Sequence, residues 1–268
     1  MTELVFIKLG GSLITDKTTP YTVRPDKLAA LASEIKLALA RDPNLRLVLG
    51  HGSGSFGHFA VKEHFPGLEI RDRKDWIGFS EVWYRASQLN RHVMDALHRA
   101  GILSMTIQPS ASVISKNGAV ARWDLTPLER ALEAGIIPVI YGDMIFDTIK
   151  GGTVLSTEIL MFHLAHRLKP GRILLAGLEA AVWADFPERR QRVGRITPKS
   201  YNALIGKVCG SHGADVTGGM KSKVEEMLRL VKEIPEMTVQ IFSGEEPGNL
   251  ERVLLGAQPG TLIAAQGD

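Results

Sequence analysis

The sequence predicts an α/β fold, specifically a three-layer α/β/α sandwich with a mostly parallel central sheet and added β-hairpins. Short, nearly continuous apolar runs, which are typical of strands buried on both faces, alternate with segments whose apolar residues recur at helical spacing. The pairs Asn117-Gly118 and Gly151-Gly152 each stand between β-prone segments and predict hairpin turns. The alternation therefore predicts the sandwich, and the glycine pairs predict the hairpins.

Six apolar runs are expected to form the sheet, and four segments with helical periodicity are expected to cover it. The predicted strands are residues 4–9, 45–49, 103–107, 136–141, 173–176 and 239–242. The predicted helices include residues 28–39, 79–89, 160–168 and 224–231. Because the composition does not shift abruptly along the sequence, we treat the chain as one domain.

The composition excludes several classes of protein. A chain of 268 residues with 44% hydrophobic residues can bury a large core without disulfide bonds. The formal charge of +3, without a basic tract, does not predict a nucleic-acid partner but is compatible with a small anionic ligand. Cys209 is the single cysteine, and no apolar run approaches the roughly 20 residues of a membrane-spanning helix. We expect a cytoplasmic protein that binds neither nucleic acid nor membrane.

Glycine is concentrated in the loops that follow the predicted strands. In an open α/β sheet, the loops at the carboxyl ends of the strands hold the ligand. Backbone amides that glycine leaves unobstructed, close to helix N-termini, suit the oxygens of a phosphate. The glycine-rich loops are Gly10-Gly11-Ser12, residues 50–57, Gly142-Asp143 and residues 215–220.

The second of these loops also satisfies the dinucleotide-binding fingerprint, at Gly52, Gly54 and Gly57. Asp72 follows about twenty residues later, where the fingerprint places an acid that binds ribose. The fingerprint requires that acid at the end of the next parallel strand, whereas residues 70–74 are a charged stretch that leads into a helix. A nicotinamide or flavin site, and glycines that serve only tight turns, remain the alternatives to a phosphate cradle.

The sequence contains no P-loop motif, so the cations for phosphoryl chemistry must be other lysines. The candidates are Lys8, Lys17, Lys221 and Lys223. Lys8 is the strongest candidate, because an ammonium group at the end of a buried strand is costly unless an anion compensates it. Lys17 could equally be a solvated charge in a loop.

Two histidines bracket the second glycine loop. His51 adjoins a strand end and is interpreted as structural, whereas His58 lies in the first turn of the next helix. There its N–H could join the backbone amides in holding an oxyanion. His163 and His166 share a predicted helix without a nearby third ligand, so no metal site is predicted there.

Six segments distributed over almost the whole chain form a recognisable series: Lys8-Leu9-Gly10-Gly11-Ser12 with Thr15-Asp16-Lys17, His51-Gly52-Ser53-Gly54-Ser55-Phe56-Gly57-His58, Tyr141-Gly142-Asp143, Asp215-Val216-Thr217-Gly218-Gly219-Met220 with Lys223, Phe242-Ser243-Gly244, and Gly260-Thr261. The series resembles the motifs of the amino acid kinase superfamily and, within it, of the isopentenyl phosphate kinases. The second segment, with its terminal histidine, is the most specific part of the resemblance.

The resemblance implies an ATP-dependent kinase that converts isopentenyl phosphate to isopentenyl diphosphate in isoprenoid biosynthesis, by the alternative mevalonate route. It implies ATP and Mg²⁺ as cofactors, a homodimer, and one domain with an acceptor lobe near residues 1–170 and a nucleotide lobe near residues 171–268. The implied catalytic residues are Lys8, Lys17, His58, Glu158 and Lys223, and the implied substrate-binding residues are Gly10, Gly11, Ser12, Ser53 and Gly54.

The sequence departs from the family pattern at two places. Where the family usually has a Ser-Gly-Asp type of segment, this chain has Ser156-Thr157-Glu158, so Glu158 would orient the lysines with one more methylene of reach. A Thr-Asp-Val-Asp-Gly-Val-Tyr type of run near the nucleotide is replaced by residues 176–183. The second departure changes the polar groups available to adenine and ribose.

Transfer to a phosphate needs no general base, because the acceptor oxygen is already anionic. Charge repulsion is the obstacle, so the lysines, His58, the loop amides and Mg²⁺ would act by electrostatics and positioning. An apolar pocket for the acceptor chain is expected from Phe79, Val82, Trp83, Ile145 and Phe146. Two alternatives stay open: a kinase for a small phosphonate such as fosfomycin, and a non-catalytic nucleotide or anion sensor.

Overall fold

A computed structural model describes residues 3–201 and 219–266. The strands in those ranges are β1 (Leu4–Leu9), β2 (Arg46–His51), β3 (Ser104–Thr106), β4 (Val113–Lys116), β5 (Ala119–Trp123), β6 (Ile137–Tyr141), β7 (Asp143–Asp147), β8 (Gly151–Leu155), β9 (Arg172–Gly177), β10 (Val182–Trp183), β11 (Arg192–Val193), β12 (Arg195–Ile196), β13 (Thr238–Ser243) and β14 (Thr261–Ile263). The helices there are α1 (Gly11–Ile14), α2 (Pro25–Arg41), α3 (Gly54–His64), α4 (Arg73–Arg99), α5 (Pro109–Ser112), α6 (Thr126–Glu133), α7 (Thr157–Leu168), α8 (Gly219–Glu233) and α9 (Asn249–Leu254).

The central sheet of the described chain contains eight strands in the order β12-β14-β13-β9-β1-β2-β6-β3. Adjacent strands are parallel except β13 and β14, which are antiparallel. All six predicted apolar runs are strands of this sheet, which confirms the predicted mostly parallel architecture. Because β1, β2, β6 and β9 point the same way, the loops after them meet at one edge.

Helices cover both faces of the sheet, as a run of strands buried on both sides requires. Val5 and Ile7 of β1 pack in a cluster with residues of α1, α2, α4 and α9, whereas Phe6 packs with residues of α6, α7 and α8. Successive side chains of a strand point to opposite faces, so Lys8 points to the same face as Phe6. Within residues 3–201 and 219–266, no helix combines the length and apolar character needed to cross a membrane.

A smaller sheet carries the predicted hairpins, in the order β5-β4-β7-β8. Asn117 and Gly118 form the turn between β4 and β5 with φ of 50° and 79°, as predicted. The second hairpin differs slightly, because its turn is residues 148–150 and the predicted turn glycines Gly151 and Gly152 begin β8. The carboxylate of Asp147 holds this region together by accepting hydrogen bonds from backbone amides of both turns.

A buried carboxylate of α2 caps another helix. Glu34 accepts hydrogen bonds from the amides of Gly248, Leu250 and Glu251, which lie at the start of α9. These amides have no partner within α9, and the positive end of the helix dipole favours an anion there. Glu34 thereby attaches the segment after β13 to α2.

We expect Glu34→Ala to lower the free energy of unfolding by about 1.5–3 kcal/mol, because three amides lose a charged acceptor. Urea denaturation at pH 7 measures this change. Glu133→Ala is the matched control, since Glu133 is exposed on α6 and pairs with Arg130 across one helical turn. An equal loss of stability in the two variants would contradict the capping role.

Candidate active site

The site is built around a buried ion pair. Lys8 Nζ donates a hydrogen bond to Glu158 Oε1, and both residues are buried. Glu158 lies in the first turn of α7, where Ser156 caps the helix by accepting a hydrogen bond from the amide of Ile159 at 3.2 Å. A carboxylate is favoured at this end of a helix, so the local structure supports the charge that compensates Lys8.

Lys223 of α8 completes the charged group. Burial alone would raise the pKa of Glu158, but the positive charges of Lys8 and Lys223 outweigh it and hold that pKa below its ordinary value. Burial lowers the pKa of Lys8, Glu158 opposes that change, and the like charge of Lys223 adds to it. Two cations thus act on the Glu158 carboxylate, and Glu226 of α8 adds a second negative charge that acts on Lys8.

The first two glycine loops touch backbone to backbone. A Cβ atom on Gly11 would lie 2.3 Å from the nitrogen of Gly54, and one on Gly52 would lie 2.7 Å from the nitrogen of Gly11. Gly54 also has φ of +49°, which disfavours other residues. The Thr15 hydroxyl accepts a hydrogen bond from the Ser55 amide at 3.0 Å and donates to the carbonyl of Gly11 at 2.8 Å. The first turns of α1 and α3, whose amides have no intrahelical acceptor, therefore lie side by side.

Gly10 differs from the prediction. Its amide donates to the carbonyl oxygen of Ala176 at 2.8 Å, so it is not available to a phosphate. A Cβ atom at this position would lie 2.9 Å from the same oxygen. Gly10 serves the close approach of β1 to the end of β9, which is a structural role.

Lys17 is carried by a short hairpin that follows α1. Thr15 and Val23 form an antiparallel bridge at its base, and the amide of Asp16 donates to the carbonyl of Thr22 at 2.9 Å. The carboxylate of Asp16 accepts hydrogen bonds from Thr18, which shapes the turn. Lys17 is exposed at this turn and faces a cavity.

That cavity has a volume of about 680 Å³ and brings most of the predicted site together. The predicted residues that line it are Lys8, Gly11, Ser12, Lys17, Ser53, Gly54, His58, Glu158 and Lys223. These residues come from β1, α1, α3, α7 and α8 and from the loops between them. The cavity therefore lies at the carboxyl edge of the sheet, where four cationic side chains and three carboxylates line it.

The apolar wall of the cavity is not the one that the sequence suggested. It consists of Val61, Leu68, Val154 and Ile159. The predicted residues do not reach it: Phe79 and Val82 are buried behind Val61, Trp83 donates its indole N–H to Ser110, Ile145 packs in the main core, and Phe146 is exposed beside Trp76. The helical spacing in α4 indicates which of its residues are buried. Only the packing of α4 on α3 decides which of them face a cavity.

His51 is structural, as interpreted from the sequence. Its ring stacks on Tyr141 with centroids 5.3 Å apart, and its Nε2 lies 3.2 Å from Asn90 Oδ1. Burial lowers its pKa to about 4, so the ring is neutral at pH 7.

The dinucleotide alternative is wrong, because Asp72 caps the N-terminus of α4 in a reciprocal capping box with Asp75.

Some residues of the site were missed, and others lie outside the described ranges. Glu226 and Arg229 line the cavity from α8, three and six residues after Lys223. The spacing of three residues places Lys223, Glu226 and Arg229 near one face of the helix, whereas the prediction of this helix rests on its apolar positions alone. Burial, and next the charge of Glu158, raise the pKa of Glu226. The predicted segment 215–218 and Cys209 lie outside the described residues.

Known proteins are similar to this chain in both fold and sequence. A family model described as the amino acid kinase family matches residues 3–243. The chain belongs to the amino acid kinase family.

Isopentenyl phosphate kinases of two archaea are similar over nearly the full length of this family member. The one from Methanocaldococcus jannaschii is 32% identical, over 97% of this chain and 98% of that protein. The one from Methanothermobacter thermautotrophicus is 33% identical, over 98% of this chain and 100% of that protein. A solved structure of isopentenyl phosphate kinase matches with a TM-score of 0.82 and 31% identity, over 97% of this chain and 100% of the other. The resemblance predicted from the motifs is confirmed.

We expect Glu158→Gln to lower the free energy of unfolding by about 3–5 kcal/mol, because it leaves a buried lysine charge without its partner. The double variant Lys8→Met with Glu158→Gln should regain most of that stability, since the uncompensated charge is gone. Urea denaturation of both variants measures the difference. Glu246→Gln, which breaks an exposed pair with Arg252, is the control and should cost less than about 1 kcal/mol.

We expect the carboxyl group of Asp143, in the third predicted motif, to have a pKa above the ordinary value of an aspartate. Burial raises its pKa to about 6, although the amides of Ser110 and Met144 donate to its carboxylate and oppose the shift. The folded state therefore holds this proton more tightly than the unfolded state, so the contribution of Asp143 to stability decreases as pH rises from about 4 to 6. Carboxyl ¹³C titration, assigned with Asp143→Asn, measures this pKa. A midpoint near 4 would contradict the expectation.

Proposed function

We propose that this chain catalyses the ATP-dependent phosphorylation of isopentenyl phosphate to isopentenyl diphosphate. One observation carries the proposal: Lys8, Lys17, Lys223 and His58 line a single cavity that also has an apolar wall. A phosphorylated alkyl substrate requires this combination of cationic and apolar surface. Two relatives that are 32% and 33% identical over nearly the full length of the chain are isopentenyl phosphate kinases, which supports the same substrate.

The main obstacle to this reaction is repulsion between the two phosphorylated substrates. Two like charges about 4 Å apart cost roughly 4 kcal/mol at an effective dielectric constant of 20, and several such pairs meet in the cleft. The acceptor oxygen is already anionic, so no side chain has to remove a proton from it. The residues of the cleft therefore act by compensating charge and by holding the reacting atoms in line.

We assign the acceptor phosphate to the first turn of α3. His58 lies in that helix one turn after Gly54, so its imidazole and the first-turn amides can donate to the same oxyanion. Lys8 and Lys223 line the same cavity, and we assign the transferred phosphoryl group to them. Lys17 lines the cavity from its hairpin, where it can neutralise charge that develops during transfer.

The alkyl chain of the acceptor would lie against the apolar wall. Val61 and Leu68 adjoin the His58 side of the cavity, and Val154 approaches from the hairpin sheet. A branched five-carbon chain buries its surface favourably there, at about 25 cal/mol for each Å² removed from water. A small phosphonate offers less apolar surface to this wall, which favours isopentenyl phosphate over fosfomycin as the substrate.

Mg²⁺ is expected to enter with ATP. Among the described residues, no group of three histidines, cysteines or acidic side chains could form a protein cage for a metal ion. Mg²⁺ usually keeps a phosphate-rich coordination shell with only one or two carboxylates, so the ATP phosphates would supply its ligands and the ion would add positive charge.

We also propose the two lobes near residues 1–170 and 171–268, a homodimer, and a cytoplasmic location, as expected from the sequence.

We expect His58→Ala to lower kcat/KM for isopentenyl phosphate by at least about 10²-fold, because a preorganised donor to the acceptor phosphate is lost. ATP binding measured by calorimetry should change little. Formation of isopentenyl diphosphate, followed by ³¹P NMR with ATP and Mg²⁺, measures turnover, and fosfomycin is assayed in parallel.

His64→Ala is the matched control, because His64 lies on the same helix but pairs with Glu63 and does not line the cavity. Equal effects of the two substitutions would show that His58 has no special contact with the acceptor. ATP binding without turnover on any phosphorylated acceptor would instead favour a nucleotide sensor, which the changed segment 176–183 suggested.

A further inference from the structure

The hairpin that carries Lys17 is attached to both halves of the central sheet. On the acceptor side, Thr15 binds the amide of Ser55, and the Tyr21 ring contacts the Phe56 ring of α3 with centroids 6.1 Å apart. On the other side, the chain leaves the hairpin through Arg24, which immediately precedes α2. The contacts of Arg24 therefore hold one end of the hairpin that carries Lys17.

Arg24 is held by a forked contact with a residue from the far half of the sheet. Its Nη1 donates to Glu245 Oε1 and to the carbonyl oxygen of Leu13, the latter at 3.1 Å, and its Nη2 donates to Glu245 Oε2 at 3.2 Å. Glu245 follows β13, at the carboxyl end of the sheet. The fork of a guanidinium on a carboxylate fixes direction as well as distance, which a single ammonium contact does not.

Glu245 is itself held in place. Its amide donates to the Ser243 hydroxyl at 3.1 Å, and Lys27 Nζ lies 3.3 Å from its carboxylate and donates to its carbonyl oxygen at 3.0 Å. The adjacent Gly244 donates its amide to the carbonyl of Gly177 at the end of β9. The carboxylate that receives Arg24 is therefore fixed to the ends of β9 and β13.

We propose that Arg24 is a positioning residue for the phosphoryl transfer: through Glu245 it sets the hairpin of Lys17 at a fixed height relative to the ends of β9 and β13. This inference rests on the proposed function, in which Lys17 acts on a phosphoryl group delivered from that half of the sheet. Arg24 is not among the residues that line the cavity, whereas Lys17, on the hairpin that ends next to Arg24, is.

The test compares Arg24→Ala with Arg41→Ala. Arg41 also joins α2 to the segment after β13, by an ion pair with Glu251 at 3.0 Å, but it is far along the helix from the hairpin. With isopentenyl phosphate and ATP, Arg24→Ala should lower kcat by about 10- to 100-fold, the scale expected for a displaced catalytic group. Arg41→Ala should change kcat by less than about twofold, and the acceptor KM should stay within about threefold in both. Equal kcat values for the two variants would overturn the proposal.

A double-mutant cycle separates positioning from a general loss of structure. Once Lys17 has been removed, its position no longer matters, so Lys17→Ala with Arg24→Ala should be no slower than Lys17→Ala alone. A swap of the pair, Arg24→Glu with Glu245→Arg, should recover part of the kcat lost in Arg24→Ala, and Arg24→Lys should recover less. Losses that multiply in the double variant would overturn the proposal.

Hydrogen exchange tests the same attachment without turnover. The amide of Asp16, bonded to Thr22 across the hairpin, should exchange about tenfold faster in Arg24→Ala than in Arg41→Ala, because the hairpin opens locally. Unchanged exchange would overturn the positioning role whatever the enzyme does. Absence of isopentenyl diphosphate with the wild-type chain would instead reject the proposed function, and the exchange result would still decide whether Arg24 fixes the hairpin.

Discussion

The buried contact between Lys8 and Glu158 is the interaction on which the arrangement of the site depends. An ammonium at the end of the central strand can be buried only with a compensating anion, and Glu158 meets it because α7 begins where the end of β1 lies. Lys223 then approaches the same carboxylate from α8. Lys8 and Glu158 thus tie the middle of the sheet to α7, and Lys223 adds a second positive charge to the pair from α8.

Glycine has an equally strict role on the other side of the cleft. The loops after β1 and β2 approach so closely that side chains at Gly11, Gly52 or Gly54 would overlap the backbone of the neighbouring loop. The close approach brings two helix N-termini together, and the residues of these first turns line the same cavity as the lysines.

Much of this could be read from the sequence, and the limits have physical causes. Continuous apolar runs predict strands buried on both faces. A lysine at the end of such a strand, such as Lys8, predicts a compensating anion because burial of its charge is unfavourable. The role of Gly10 could not be read, because a free amide and one bonded to Ala176 look alike in sequence. The apolar wall was predicted wrongly for a related reason: the spacing of Phe79 and Val82 shows that they are buried, but the partner that buries them is set by tertiary packing.

The continuous sheet also decides how the molecule can deform. β1 is paired with β2 over six residue positions and with β9 over five, so the two sides of the cleft are joined by a ladder of hydrogen bonds and not by a linker. Such a junction has no hinge. The two sides can approach each other only if the twist between neighbouring strands changes, and that deformation is shared among many bonds. Entry and exit of ligands must therefore depend on movement of the short loops at the carboxyl ends of the strands, while the central sheet beneath them resists deformation.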